Sequence, residues 1–236
     1  MLGWLRSKRE ITMNIEQAVS QRRSTRAYTP DPLLKEEIID WLNAAQRAPS
    51  GGNMQGWGVI VLTGEAKDAV ANLAMSRLPE VMPAGEETDR LVYPEELWEP
   101  HVSRRRRAGE QMYDALGISR EDTQKFNMWR ANNFRFFGAP VGLIFTIDTR
   151  MGHGQWAHNG IFMQTLALLA EGRGWGTCMQ ECWGMLRPSL KAHLKLDDTR
   201  MVHCGMSVGV PDKDHPINNF RSERASLDDF ADLRGF

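Results

Sequence analysis

Two stretches, APVGLIFTID at 139–148 and TRMVHCGMSVGVP at 199–211, are apolar at nearly every position, and nothing else in the chain constrains its fold as strongly. A strand that is wet on one side alternates apolar with polar residues, so runs without alternation belong to central strands covered on both faces. Shorter β-rich runs stand at WGVIVLTG (57–64) and WGTCMQ (175–180). Helical patterns separate them. Asn14 can cap a helix that places Ile15, Ala18 and Val19 on one face. PDPLLKEEIIDWLNAAQRA carries acidic residues in its first turn and Leu33, Leu34, Ile38, Trp41, Leu42 and Ala45 at helical spacing, until Pro49 stops it. HNGIFMQTLALLAEG reads as a helix that is apolar almost all round, hence buried. Strands alternating with helices predict a sheet sandwiched between helical layers, of the α+β or α/β class.

The 236 residues are enough to bury a core without cross-links, and the three cysteines form no CxxC pair. That usage fits a reducing compartment, so a cytoplasmic location is expected. With 29 basic and 30 acidic residues, no global field favours nucleic acid or an anionic membrane, and neither is an expected partner. The leader MLGWLRSKREITM has no apolar run suited to a signal peptide, and IFMQTLALLA falls short of the roughly 20 residues that span a bilayer. Residues from about 78 to 130 differ from the rest: Pro-rich turns, then Arg104 to Arg107, then a helical stretch. An irregular insertion of that length is expected to cover a site. Trp98, Arg107, Tyr113 and Trp129 are its substrate-facing candidates, with Phe134 just beyond. The arginine run fits either a helix face paired with the acidic 86–99 stretch or the attraction of an anionic ligand.

Three segments could carry chemistry. In RRSTR, Arg22 to Arg26, forked guanidiniums flank two hydroxyls, a donor set suited to phosphate, although a solvated helix end would read the same. In HPINNFRSERASLDDF, Arg221 and Arg224 stand at i, i+3 and could add cations to it. RAPSGGNMQGW, 47–57, is uncharged after Arg47 and offers Pro49, Ser50, Asn53 and Gln55: a plain loop, or amides arranged around a flat heterocycle. A dinucleotide-binding turn is excluded, because Thr177 stands where GRGWGT would need its third glycine and a helix rather than a strand precedes it. His153 and His158 flank GQWA without further ligands, so no metal is expected. Cys178 and Cys182, CxxxC beside a core strand, read as buried and inert.

RRSTRAY, APSGGNMQGW, GRGWGTCMQECW and MSVGVPDKDHPINNF, in this order, resemble the FMN-dependent nitroreductase family over most of the chain outside the insertion. The resemblance implies a three-layer α+β sandwich with a mostly antiparallel sheet, assembled as an intertwined homodimer with its flavin sites at the interface. Residues 13–236 would form the single domain, with 1–12 an extension ahead of Met13. Arg22, Arg23 and Ser24 would hold the FMN phosphate and ribityl end, with Arg221 and Arg224 closing on the phosphate. Arg26 would lie at the ring's N1/O2 edge, Pro49, Ser50, Asn53 and Gln55 at the pyrimidine edge or ribityl, and Gln180 and Glu181 near N5. The implied activity is ping-pong hydride transfer from NADPH or NADH to nitroaromatics or other electron-poor acceptors, with no catalytic residue beyond the flavin. Gly56 stands where the family usually has proline, which predicts a freer loop. Alternatives on the same fold are enone reduction and a halotyrosine dehalogenase that would use Glu110, Tyr113 and Lys125; a non-enzymatic flavin carrier is a third.

Overall fold

The computed structural model describes residues 13–82, 85–86 and 93–236; the expected extension, 1–12, lies outside them. Four strands, β1 (Trp57–Thr63), β2 (Val141–Asp148), β3 (Gly176–Gln180) and β4 (Arg200–Gly209), form one sheet in the order β1-β2-β4-β3, with every neighbouring pair antiparallel. The two continuous apolar runs are the two central strands, and the two shorter runs are the edges. Side-chain parity explains why. Along β2, Leu143 and Phe145 point into one core cluster and Ile144 into the other, so both faces are covered.

Among the described residues the helices are α1 (Ile15–Gln21), α2 (Lys35–Ala45), α3 (Gly64–Val81), α4 (His101–Ala115), α5 (Thr123–Ala131), α6 (His153–Gly172) and α7 (Arg187–His193). α2 and α6 cover one face through Ile38, Trp41, Phe162 and Leu166. α3 and α7 cover the other through Val70, Ala74 and Leu190, with Trp183 and Phe136 between them. On that second face Gly205 has no side chain because none would fit: a Cβ there would enter the Trp183 indole, and Gly142 stands in the same relation to Phe136. The two rings stack with centroids 4.5 Å apart. The result is the expected three-layer sandwich.

Asn14 caps α1 as its sequence suggests, in a reciprocal pair with Gln17 (2.8 and 3.0 Å). The face assigned to α1 is a correction. Ala18 is buried, but Ile15 and Val19 are 79% and 56% exposed, because this seven-residue helix has one small residue directed inward. α6 likewise buries Phe162, Met163, Leu166 and Ala170 while Ile161 stays exposed. α4 and α5 contain no buried residue; they pack on each other through Tyr113 and Phe126, ring centroids 4.6 Å apart.

Candidate active site

Two segments far apart in the chain meet at the free edge of β3. Ser24 bridges to Thr177 in parallel register, and the Thr25 amide donates to the Thr177 carbonyl at 2.9 Å. Gly176 makes this possible, since a Cβ there would occupy the position of the Thr25 side chain. The C-terminal segment is tied on by Asn218, which is 4% exposed. Its Oδ1 accepts from the Arg26 amide at 2.9 Å, its Nδ2 donates to the carbonyls of Ala27 and Asp212 at 2.8 and 2.7 Å, and its own carbonyl accepts from the Arg23 guanidinium at 2.5 Å. Sequence reasoning passed over Asn218. Nothing in PINNF distinguishes it from Asn219, because its role lies in satisfying backbone groups nearly two hundred residues away.

Between these segments lies a cavity of about 610 Å³ lined by Arg22, Arg23, Ser24, Arg26, Arg221 and Arg224, with Gly109 and Met112 of α4 on its wall. Six of the residues expected around the flavin, five at its phosphate end and Arg26 at its ring edge, are therefore brought together. Among the described residues none of these five arginines has a carboxylate at ion-pair distance. Their hydrogen bonds go to neutral oxygens: Arg221 to the Ser20 carbonyl, Arg224 to the Ser222 hydroxyl at 2.6 Å. Burial and then the charge of Arg224 lower the proton affinity of Arg22, with Glu171 opposing. Burial also raises the Glu171 carboxyl, against the pull of Arg23, Arg22 and Arg221. The cluster is short of negative charge, and an anion with several oxygens fits it.

The loop at 49–55 lies elsewhere. Gly51 donates its amide to His158 in the first half of α6, whereas Glu171 beside the arginines is in its last turn. At 1.5 Å per residue the two are about 20 Å apart. One chain thus does not bring all the expected residues into a single cavity. The expected looseness at Gly56 is corrected as well. The Ser50 hydroxyl accepts from the Gln55 amide and the Ser50 carbonyl from the Asn53 amide, both at 2.9 Å, and Gln55 Nε2 donates to the Asn53 carbonyl at 3.0 Å. These bonds hold Asn53 and Gln55 in the left-handed region, φ 53° and 51°, with Pro49, Asn53 and Gln55 at the surface.

Gln180 is buried, donating to the Asn133 carbonyl at 2.6 Å and accepting from the Trp183 indole at 3.4 Å, so its side chain is held inside the protein. Glu181 reaches solvent yet is packed closely enough that desolvation raises its carboxyl. In the insertion, Trp98 is 61% exposed against the edge of His101, Trp129 packs beside Phe137 and His215, and Phe134 is buried against Trp183. Burial raises the Tyr113 hydroxyl, opposed by Arg130 and Arg26. Arg104 and Arg107 pair with Asp229 (3.6 Å) and Glu223 (3.3 Å). Among the described residues their acids thus come from the C-terminal segment, which α4 crosses; residues 87–92 of the expected acidic stretch lie outside the described residues. Glu110 is engaged by Arg120, and Lys125 by Asp122 at 2.8 Å, which neutralises both charges a zwitterionic amino acid would need.

The molecule is an antiparallel α+β sandwich with an arginine-lined anion cavity at a sheet edge. It belongs to the Nitroreductase family, whose sequence profile it matches over residues 19–210. It is 37% identical over 217 residues to the nitrobenzene nitroreductase of Ectopseudomonas oleovorans (92% of this chain, 95% of that protein). It is 35% identical over 226 residues to the 4-nitrobenzoate reductase of Pseudomonas putida (96% and 98%). The FMN and NADPH-dependent nitroreductase NfnB from Sphigopyxis sp. strain HMH superposes with a TM-score of 0.91 at 36% identity, covering 95% of this chain and all of that one.

Proposed function

We propose that this protein is an FMN-dependent oxidoreductase that passes hydride equivalents from NAD(P)H to nitroaromatic acceptors, and that it works as a homodimer. The observation that carries this reading is the cluster of guanidiniums around one cavity with no carboxylate at ion-pair distance among the described residues. Arg22, Arg23, Ser24 and Arg224 would grip the phosphate, where forked donors match its oxygens. Arg26, its backbone fixed by Asn218, would bring a cation to the ring edge. When bound, FMN supplies two-electron chemistry at N5 in alternating half-reactions with the nicotinamide donor and the acceptor, taking nitro to nitroso and then to hydroxylamine. The chain's own task is positioning, and α4 and α5 would form the cover that keeps water from the ring.

The position of the amide loop supports the dimer. A two-fold pair with antiparallel α6 helices would bring the loop of one copy toward the arginine cavity of the other, and two chains would then complete each site. Exposed Ile15, Val19 and Ile161 are side chains such a contact would cover. The test is the visible spectrum of the FMN-supplemented, desalted protein as NADPH is added without oxygen. A retained flavin band that bleaches within seconds is expected, and Arg22→Ala should lose the flavin on desalting. A colourless wild-type protein would overturn the reading, and a flavin band that does not bleach would assign the carrier instead.

A further inference from the structure

A second cavity, of about 660 Å³, lies between α3, α5 and the segment after β3. Leu78, Met82, Phe134 and Cys182 make it largely apolar, and Asn127 and Asn133 supply amides. Among the described residues lining it, Arg130 is the one charged side chain. Arg130 sits in the last turn of α5, is exposed, and has no carboxylate at ion-pair distance among the described residues. Its guanidinium stands over the Phe126 ring, 5.5 Å from the centroid.

Two links join this cavity to the flavin end of the proposed site. Asn133 on its wall accepts from Gln180, and Cys182 follows Glu181, the pair expected near N5. Arg130 and Arg26 also act on the same Tyr113 hydroxyl. An apolar slot with one uncompensated cation suits a flat ring bearing one anionic group better than a neutral ring. The relatives include a reductase of each kind, for nitrobenzene and for 4-nitrobenzoate. Resting on the function proposed above, we infer that Arg130 pairs with the carboxylate of the acceptor, and that nitroaromatic carboxylates are the preferred acceptor class.

Benzoate, which carries the carboxylate and no nitro group, is the probe. Titrated calorimetrically into the oxidised FMN-loaded protein, it should bind and compete with 4-nitrobenzoate. Arg130→Gln should weaken benzoate by about 10- to 100-fold, the usual worth of a hydrogen bond to a charged group, and Arg130→Lys should restore part of it. The ratio of kcat/KM for 4-nitrobenzoate over nitrobenzene should fall by a similar factor in Arg130→Gln. Benzoate affinity and that ratio both unchanged within about twofold in Arg130→Gln, or benzoate that does not compete, would overturn the assignment. The calorimetry reads the cavity whether or not NADPH bleaches the flavin, so failure of this inference and failure of the proposed function are distinguishable.

Discussion

The molecule holds two aromatic pairs of almost equal geometry in unequal surroundings. Phe136 and Trp183 stack at 4.5 Å with both rings fully buried, whereas Tyr113 and Phe126 sit at 4.6 Å between two helices with no buried residue. Ring contact alone therefore does not measure how firmly a region is held. The first pair is covered by helices against a sheet whose glycines admit it; the second joins helices fastened at their rim by charges. Local stability follows burial, and elements that open to admit ligands come from its low end. α4 and α5 have that character, and α4 also walls the arginine cavity.

Three substitutions test this contrast. Trp183→Ala should have the largest effect, about 3–5 kcal/mol off the unfolding free energy, as expected for a fully buried aromatic; urea denaturation with an unchanged m-value would show it. A loss below about 1 kcal/mol would mean the sheet face repacks and the contrast is weaker than the geometry suggests. Tyr113→Ala should cost under about 1.5 kcal/mol in the same experiment, the scale of an aromatic pair outside the core. Hydrogen exchange in α4 and α5 should nevertheless quicken well before the sheet responds. If both regions quicken together, the two helices are part of the global cooperative unit and the comparison breaks. Glu223→Gln should be mildest, because Glu223 accepts from Arg107 and Gln111 at an exposed rim, where such pairs contribute about 0.2–1 kcal/mol. Its effect on α4 exchange should shrink as salt is raised, which separates a charge latch from simple packing.

The sheet was legible in the sequence because burial on two faces leaves a compositional mark: 139–148 and 199–211 read as central strands, and β2 and β4 are the central pair. The arginine cavity was legible by resemblance, and the structure brings Arg22, Arg23, Ser24, Arg26, Arg221 and Arg224 to one place. Three things were not. Ile15 and Val19 have an apolar period that marks a buried face without naming the surface that covers it. Asp229 and Glu223, the acids opposite Arg104 and Arg107 among the described residues, are brought there by tertiary packing from far along the chain. Asn218 left no signal, since an asparagine that satisfies distant backbone groups has the same letter as one in a solvated turn. Gly56 misled for a related reason: proline is one way to fix a loop, and the Ser50 hydroxyl is another.

The bonds of Asn218 also set an order of events. They join residues separated by about 190 positions and bring the C-terminal wall of the arginine cavity against RRSTR. During synthesis RRSTR is in place some 190 positions before its partner Asn218 arrives. Closing so long a loop gives no return until its far end arrives. The arginine cavity is therefore complete only once the C-terminal segment has docked on RRSTR.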